Sequence, residues 1–322
     1  MSKAQDTSSK KTKTISKDSK SLRNTKQPHH SLPSSLGEGG MVRFFCKDIE
    51  TKSLRKRLLT LANKYETSSF LNGDPSWFMH QVIGKRNQET IAFIAACLSY
   101  GSRQVFLPRI QYLLDCSRSE PYEWIKTGRY TLDIPNDNQC FYRLYTNAMM
   151  CDLFHALRKM YEEYGDMENY IRSYANLQKG SKKTDAITAI EAICDHFLKH
   201  EAVGIVPKNT NSSCKRVCMF LRWMVRTNSP VDLGLWSELI DQCSLIIPLD
   251  THVIQQSLQL GLITSKTASM SVARKLTDKL LEIFPDDPIK IIILPALYFS
   301  FLSLLCFHFV TCPDFMATSL IY

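Results

Sequence analysis

Two short segments carry the residues best able to do chemistry. The first, CKRVCMFLRWMVR (residues 214–226), sets Lys215, Arg216, Arg222 and Arg226 on what reads as one helix. At the 3.6-residue period, Val217, Phe220, Leu221 and Met224 gather on one side, while Lys215, Arg222 and Arg226 form a stripe on the other. One face packs and the other attracts anions, or is simply a solvated basic face. A lysine in the first turn opposes the helix dipole by ~0.3–1 kcal/mol, so something other than helix stability holds it there. The second segment, CSLIIPLDTHV (residues 243–253), passes from an apolar run through Pro248 into Asp250, Thr251 and His252. Asp250 has the signature of a helix N-cap, where a carboxylate satisfies free backbone amides and contributes ~1 kcal/mol with no chemistry required. Ser212 or Ser213 is expected to cap the lysine-bearing helix in the same way.

The elements that must position these residues are helical. From about Val42 onward apolar residues recur three and four apart with few β-branched alternations, which predicts an all-α protein. ETIAFIAACLSY (residues 89–100) is apolar nearly all round and stops at Gly101, as a helix buried in a bundle and closed by a glycine should. Further helices are expected over Ser53–Tyr65, Val105–Asp115, Gln139–Tyr164 and Thr184–His200, with Pro121, Pro135 and Pro207 as breaks. No internal repeat is visible.

Composition bounds the class. The 322 residues are 44% apolar and 22% charged, with 12 Gly and 13 Pro, which excludes collagen-like, low-complexity and wholly disordered chains. Residues 1–40 hold eight Lys or Arg against three acids, thirteen Ser or Thr and no aromatic residue, so more than half of the net charge of +9 sits there. Residues 1–41 therefore read as a disordered basic tail, a spacer or a nuclear-import or weak nucleic-acid contact through Lys10, Lys11 and Lys13. Without an apolar signal-peptide core, a nuclear or cytoplasmic location is expected. Eleven cysteines lie scattered from Cys46 to Cys312 with no CxxC pair, so neither a disulfide framework nor a metal site is predicted. They read as small buried hydrophobes in a reducing compartment. Ile291–Val310 carries no formal charge over twenty residues, apart from His308, and by length it could span a bilayer. The expectation for 291–322 is a membrane anchor or an aberrant terminus.

CKRVCMFL and PLDTHVIQQSLQLGL together resemble the helix-hairpin-helix DNA glycosylase superfamily of the endonuclease III type. There a lysine-bearing helix is followed by an LDTHV-like segment. KRVCMFLRWMVR, VDLGLW, LIIPLDTHV and DDPIK resemble more closely a family catalogued as domain of unknown function 2400, itself similar to a distant branch of that superfamily. This closer resemblance covers about Phe70 to Lys290.

The resemblance implies a two-lobed helical fold over residues 42–290 that draws a damaged base out of duplex DNA into a cleft; this chain is expected to lack the iron–sulfur cluster of the endonuclease III type and any other cofactor. Lys215 would be the nucleophile at C1′ of the sugar and Asp250 the electrostatic and proton-transfer partner. Arg216 and the helix terminus would favour the neutral amine. Lys208, Arg216, Arg222 and Arg226 would contact phosphates, helped by backbone amides of residues 209–213. Arg103 or Tyr100, in LSYGSR, would fill the gap left by the base. The expected partner of this monomer is damaged double-stranded DNA, with RNA as the alternative. The other readings are a catalytically inactive nucleic-acid binder and a membrane-tethered interaction protein. This chain departs from the pattern at three places: PKNTNSS stands where a glycine-rich hairpin is usual, Gln255 stands where an arginine is common, and 35 positions separate Lys215 from Asp250. Only Cys306 and Cys312 lie beyond Asp250, too few to ligate a cluster.

Overall fold

The computed structural model describes residues 38–176 and 182–290. The chain divides into two compact units, Met1–Lys47 and Asp48–Tyr322, and every interaction below lies within the second. The basic tail and the apolar 291–310 run fall outside the described residues, apart from the start of the first helix, which begins at Glu38 and so ahead of the expected boundary. Among the described residues no helix is long and apolar enough to cross a membrane.

The helices are α1 (Glu38–Tyr65), α2 (Lys85–Leu98), α3 (Arg103–Cys116), α4 (Pro121–Lys126) and α5 (Tyr130–Asp133). A hairpin of β1 (Cys140–Tyr142) and β2 (Tyr145–Thr146) follows, then α6 (Asn147–Tyr164), α7 (Met167–Tyr174), α8 (Ala186–Lys199), α9 (Lys215–Val225), α10 (Thr251–Gln259) and α11 (Met270–Ile283). The structure is mostly helical, as the periodicity predicts. The exception is the stretch expected to be one helix over Gln139–Tyr164. Its first residues form the hairpin, because Phe141, Tyr142 and Tyr145 bury aromatic rings from extended backbone and Arg143 turns with φ of 52°. Helix α6 starts only after Thr146, whose hydroxyl accepts the Met149 amide at 3.2 Å.

Helix α2 is the centre of the core. From Glu89 to Leu98 every residue is buried, with neighbours in α3, α4, α9 and the 3-10 turn Pro75–His80. Phe93 stacks on Phe197 of α8 at 5.1 Å and meets Phe220 of α9 edge-on at 5.2 Å. Phe220 in turn meets Trp236 at 5.1 Å. Such offset and edge-to-face pairs add about 0.5–1.5 kcal/mol each beyond their buried area.

One polar group closes this aromatic chain. Glu89, fully buried one turn before Phe93, accepts the Met167 amide at 2.8 Å and the Trp236 indole N–H at 3.0 Å. Burial pushes its carboxyl up to about 8, against the pull of those two hydrogen bonds. The unfolded chain ionises this group near 4.5, so its contribution is complete below that pH and is lost as pH rises toward 8. His196, whose ring burial lowers to about 4, acts in the opposite direction up to its ordinary value near 6.5. Between pH 6.5 and 8 the thermal midpoint of the wild type should therefore fall, and that of Glu89→Gln should stay flat. Parallel slopes in a buffer-matched melting series would show that Glu89 is ionised in the fold.

Candidate functional site

The site is assembled by two helix starts. Helix α9 opens at Cys214, which adopts φ of 46° and makes no side-chain cap. The expected serine cap is not formed. Ser213 is buried and its hydroxyl donates instead to the Leu249 carbonyl at 3.1 Å, while Ser212 Oγ accepts the Cys214 amide at 3.4 Å. The Ser213 bond ties the residue two before Lys215 to the residue one before Asp250. A second tie, from the Ile247 amide to Thr277 Oγ1 at 3.1 Å, fixes the incoming strand-like segment on α11.

Asp250 is the N-cap of α10, as its sequence context predicts, with Oδ1 accepting the Val253 amide at 2.8 Å. Its other oxygen, Oδ2, lies 2.9 Å from Lys215 Nζ. Both side chains are about one-third exposed, so the pair faces a solvent-reached space. Burial alone would raise the carboxyl of Asp250, but the Lys215 ammonium, the Val253 amide and His252 outweigh it and hold it below the usual aspartate value. A lysine that opposes the dipole of its own helix is thus compensated by a carboxylate from another.

Lys215 and Asp250 open onto a cavity of about 330 Å³, inside the roughly 300–1,000 Å³ range of sites that enclose small organic ligands. Its walls come from distant parts of the chain. Phe70, Ala96, Tyr100, Arg103 and Phe106 contribute to the lining together with Met219, Trp223, Arg216, His252 and the ion pair. The lining mixes apolar and aromatic side chains with the charged groups of Asp74, Arg103, Lys215, Arg216 and Asp250. A flat ring fits such a space, and an amine and a carboxylate reach it together. Among the described residues, no three His, Cys, Asp or Glu side chains are grouped to hold a metal ion.

The arginines expected on an anion-attracting stripe divide into two groups. Arg216 stays at the cavity, donating to the Cys97 carbonyl at 2.9 Å and to the Tyr145 hydroxyl, with the faces of Tyr100 and Tyr145 at 5.7 and 5.8 Å. Arg222 and Arg226 are only 3% and 2% exposed, so neither is a solvated surface cation, although Arg222 contributes to the cavity lining. Asp232 Oδ2 accepts from both. Arg226 also pairs with Asp287 at 2.7 Å and lies 2.7 Å from Glu66 Oε1 without hydrogen-bond alignment. Burial alone would work against the Arg226 charge, yet these three carboxylates hold it firmly. Helical periodicity could not separate the groups, because the covering surface arrives from residues 231–236 and 287.

That cover also completes the helix. The Leu233 and Gly234 amides donate to the Trp223 carbonyl at 2.7 and 3.3 Å, and the Trp236 amide donates to Met224 at 2.7 Å, satisfying carbonyls left free at the end of α9. Gly234 has φ of 64°, and a Cβ there would come within 3.1 Å of the Arg226 carbonyl. The segment that lengthens the spacing between Lys215 and Asp250 is therefore the C-terminal closure of α9.

Arg103 lines the cavity and pairs with Asp74 at 3.3 Å. Tyr100 also lines it, with its ring held 5.0 and 5.1 Å from Tyr142 and Tyr145. Lys208 is exposed on the 207–213 loop, away from the cavity lining, and the Asn211 amide in that loop is taken by Asn209 Oδ1 at 3.0 Å. Sequence reasoning missed Asp74, Trp223 and the aromatic support from the hairpin. Asp74 alone left a signal, a D-P-S-W turn that caps itself through Ser76.

The chain is thus a mostly helical protein with a solvent-reached cavity lined by apolar, aromatic and charged side chains. Residues 74–291, about two thirds of its length, match the model of a family described as a protein of unknown function (DUF2400), and the chain belongs to that family. No curated protein and no solved structure matches it.

Substitutions at two positions separate structure from chemistry here. Asn caps as well as Asp, so Asp250→Asn should change unfolding free energy by less than about 0.5 kcal/mol, whereas Asp250→Ala should cost about 1 kcal/mol, in urea titrations. Arg226→Ala should cost about 3–5 kcal/mol by leaving buried carboxylates uncompensated. A loss below about 1 kcal/mol would place Arg226 back among surface cations.

Proposed function

We propose that this protein is a DNA glycosylase with lyase activity, built on a two-lobed helical fold of the helix-hairpin-helix glycosylase kind. The observation that carries this reading is the 2.9 Å approach of Lys215 Nζ to Asp250 Oδ2 at the mouth of a cavity sized for a flat heterocycle. An amine and a carboxylate in one wet, partly apolar space are the groups needed for imine chemistry at an acetal carbon.

Lys215 gives a proton to Asp250, and its free amine attacks C1′ of the extruded nucleotide. The bond from C1′ to the base breaks, the base leaves with the electron pair and takes the proton from Asp250, and the regained carboxylate stabilises positive charge at the sugar. Asp250 then carries a proton from the attached nitrogen to O4′ as the C1′–O4′ bond opens, which gives a protonated imine on Lys215 Nζ. Loss of a proton from C2′ then expels the 3′ phosphate, and water releases the lysine. Arg216 and Arg103, at the cavity edge, would meet the flanking phosphates. Lys208 is better placed for a longer-range contact, since it is exposed but not part of the lining.

The experiment is borohydride trapping on a panel of duplexes carrying an abasic site, uracil or an oxidised base. The wild type should form a covalent adduct on at least one. Lys215→Ala should form none, and Asp250→Asn should trap 10²-fold or more slowly with its fold intact. Adducts that persist in Lys215→Ala overturn the assignment. Wild type that binds all the duplexes and traps none reduces the reading to a nucleic-acid binder on the same scaffold.

A further inference from the structure

The cavity holds a second acid that the Lys215–Asp250 pair does not use. Asp74 lines the same space and is 7% exposed. One of its oxygens is committed: Oδ1 accepts the Ser76 amide at 3.0 Å and the Ser76 hydroxyl at 2.7 Å, at the start of the 3-10 turn Pro75–His80. Ser76 is fully buried and Pro75 stiffens the backbone between the two residues, so the carboxylate is held in one orientation. Its other oxygen, Oδ2, meets a single partner among the described residues, Arg103 Nη2 at 3.3 Å. Arg103 is the first residue of α3 and its side chain is half exposed. Of its five donors, only the one on Asp74 is used among the described residues. A fixed acceptor with capacity left and a cation with donors left therefore stand side by side at the cavity.

In a wet cavity water satisfies such groups. A ring that displaces the water has to replace its hydrogen bonds, because a buried acceptor left without a donor costs affinity. The ring that does so presents an N–H to Asp74 Oδ2 and, beside it, an acceptor atom to Arg103. Nucleobases offer that edge wherever it carries no alkyl group. We propose that Asp74 selects the ligand of this cavity, accepting an edge N–H of the extruded base and turning away bases alkylated at that edge. This rests on the glycosylase reading above and narrows its substrate to rings whose hydrogen-bonding edge is intact, such as deaminated or oxidised bases. Arg103 assists by donating to the adjacent carbonyl oxygen or ring nitrogen, and its remaining donors are enough for a flanking phosphate.

The test uses the full chain and duplexes carrying a 2′-fluoroarabino nucleotide, whose fluorine blocks loss of the base, opposite a tetrahydrofuran gap so that no base pair has to be broken. The base is either uracil or 3-methyluracil, which lacks the edge N–H. In anisotropy titrations the wild type should bind the uracil duplex about tenfold or more tightly than the methylated one. Asp74→Asn should bring the two affinities together, because its carbonyl oxygen stays with the Ser76 amide and its NH2 end replaces the acceptor. A preference that persists in Asp74→Asn belongs to the bulk of the methyl group and overturns the proposal. Should that variant fail to fold, wild-type binding to thymine against difluorotoluene, a ring of the same shape without an edge donor, decides the point, and equal affinities overturn it. Wild type that binds the uracil and 3-methyluracil duplexes equally also overturns it, and if Lys215 is still trapped on an abasic site the glycosylase reading stands. Wild type that binds none of the duplexes and forms no adduct overturns both.

Discussion

Two helices that begin at the same point set the terms for everything around them. The first turns of α9 and α10 both present unsatisfied amides and the positive ends of their dipoles, and α9 adds a lysine. Left alone, that concentration of positive charge would push the two helices apart. Asp250 resolves it twice over, capping α10 with one oxygen and pairing with Lys215 through the other. The Ser213 to Leu249 bond and the left-handed turn at Cys214 are the covalent-side counterpart, delivering each residue to the meeting point from its own chain direction. Removing Asp250 would thus alter a cap, a charge balance and a site together, which is why the asparagine variant is the informative one.

The opposite end of α9 obeys a different constraint. There two arginines are out of water, and each such charge has a desolvation cost of several kcal/mol that only close carboxylates offset. Asp232, Asp287 and Glu66 come from three separate segments, so neutralising Arg226 fixes the 231–236 loop, the end of the described chain and the start of the 3-10 region at once. One helix therefore has a solvent-facing end suited to chemistry and a buried end suited to anchoring. The aromatic chain from Phe197 through Phe93 and Phe220 to Trp236 runs alongside and terminates on the Glu89 carboxyl.

How much of this could be read from residues alone follows from where each signal is local. The helical class, the buried run over residues 89–98 and the N-cap at Asp250 depend on spacing and on neighbours within one turn, and periodicity conveys them. The closeness of Lys215 and Asp250 came only through resemblance, since nothing in 35 intervening residues specifies a return. The solvation of Arg222 and Arg226 was misjudged because a helical wheel is blind to what packs against it from elsewhere in the sequence. The hairpin was hidden inside an apparently continuous helix because aromatic residues serve either pattern, and only the turn at Arg143 decides between them. Ser213 looked like a cap because serine usually is one, yet a distant carbonyl competes for the same hydroxyl.

In the proposed reaction the nucleophile would rest in an ion pair, and the cavity supplies a reason that this need not be an obstacle. With water present, the charged lysine and aspartate are each solvated and attract one another, the state that the lowered carboxyl of Asp250 reflects. A base entering between Phe106, Trp223 and Met219 displaces that water and lowers the local dielectric. Desolvation penalises two charges more than it penalises the neutral amine and neutral acid, and at 2.9 Å a single proton shift interconverts the two states with no movement of heavy atoms. In the proposed reaction, then, occupancy itself would drive the proton from Lys215 to Asp250. The aspartate would hold the transferred proton close to the sugar, where its return to a carboxylate can offset the positive charge that develops as the base departs.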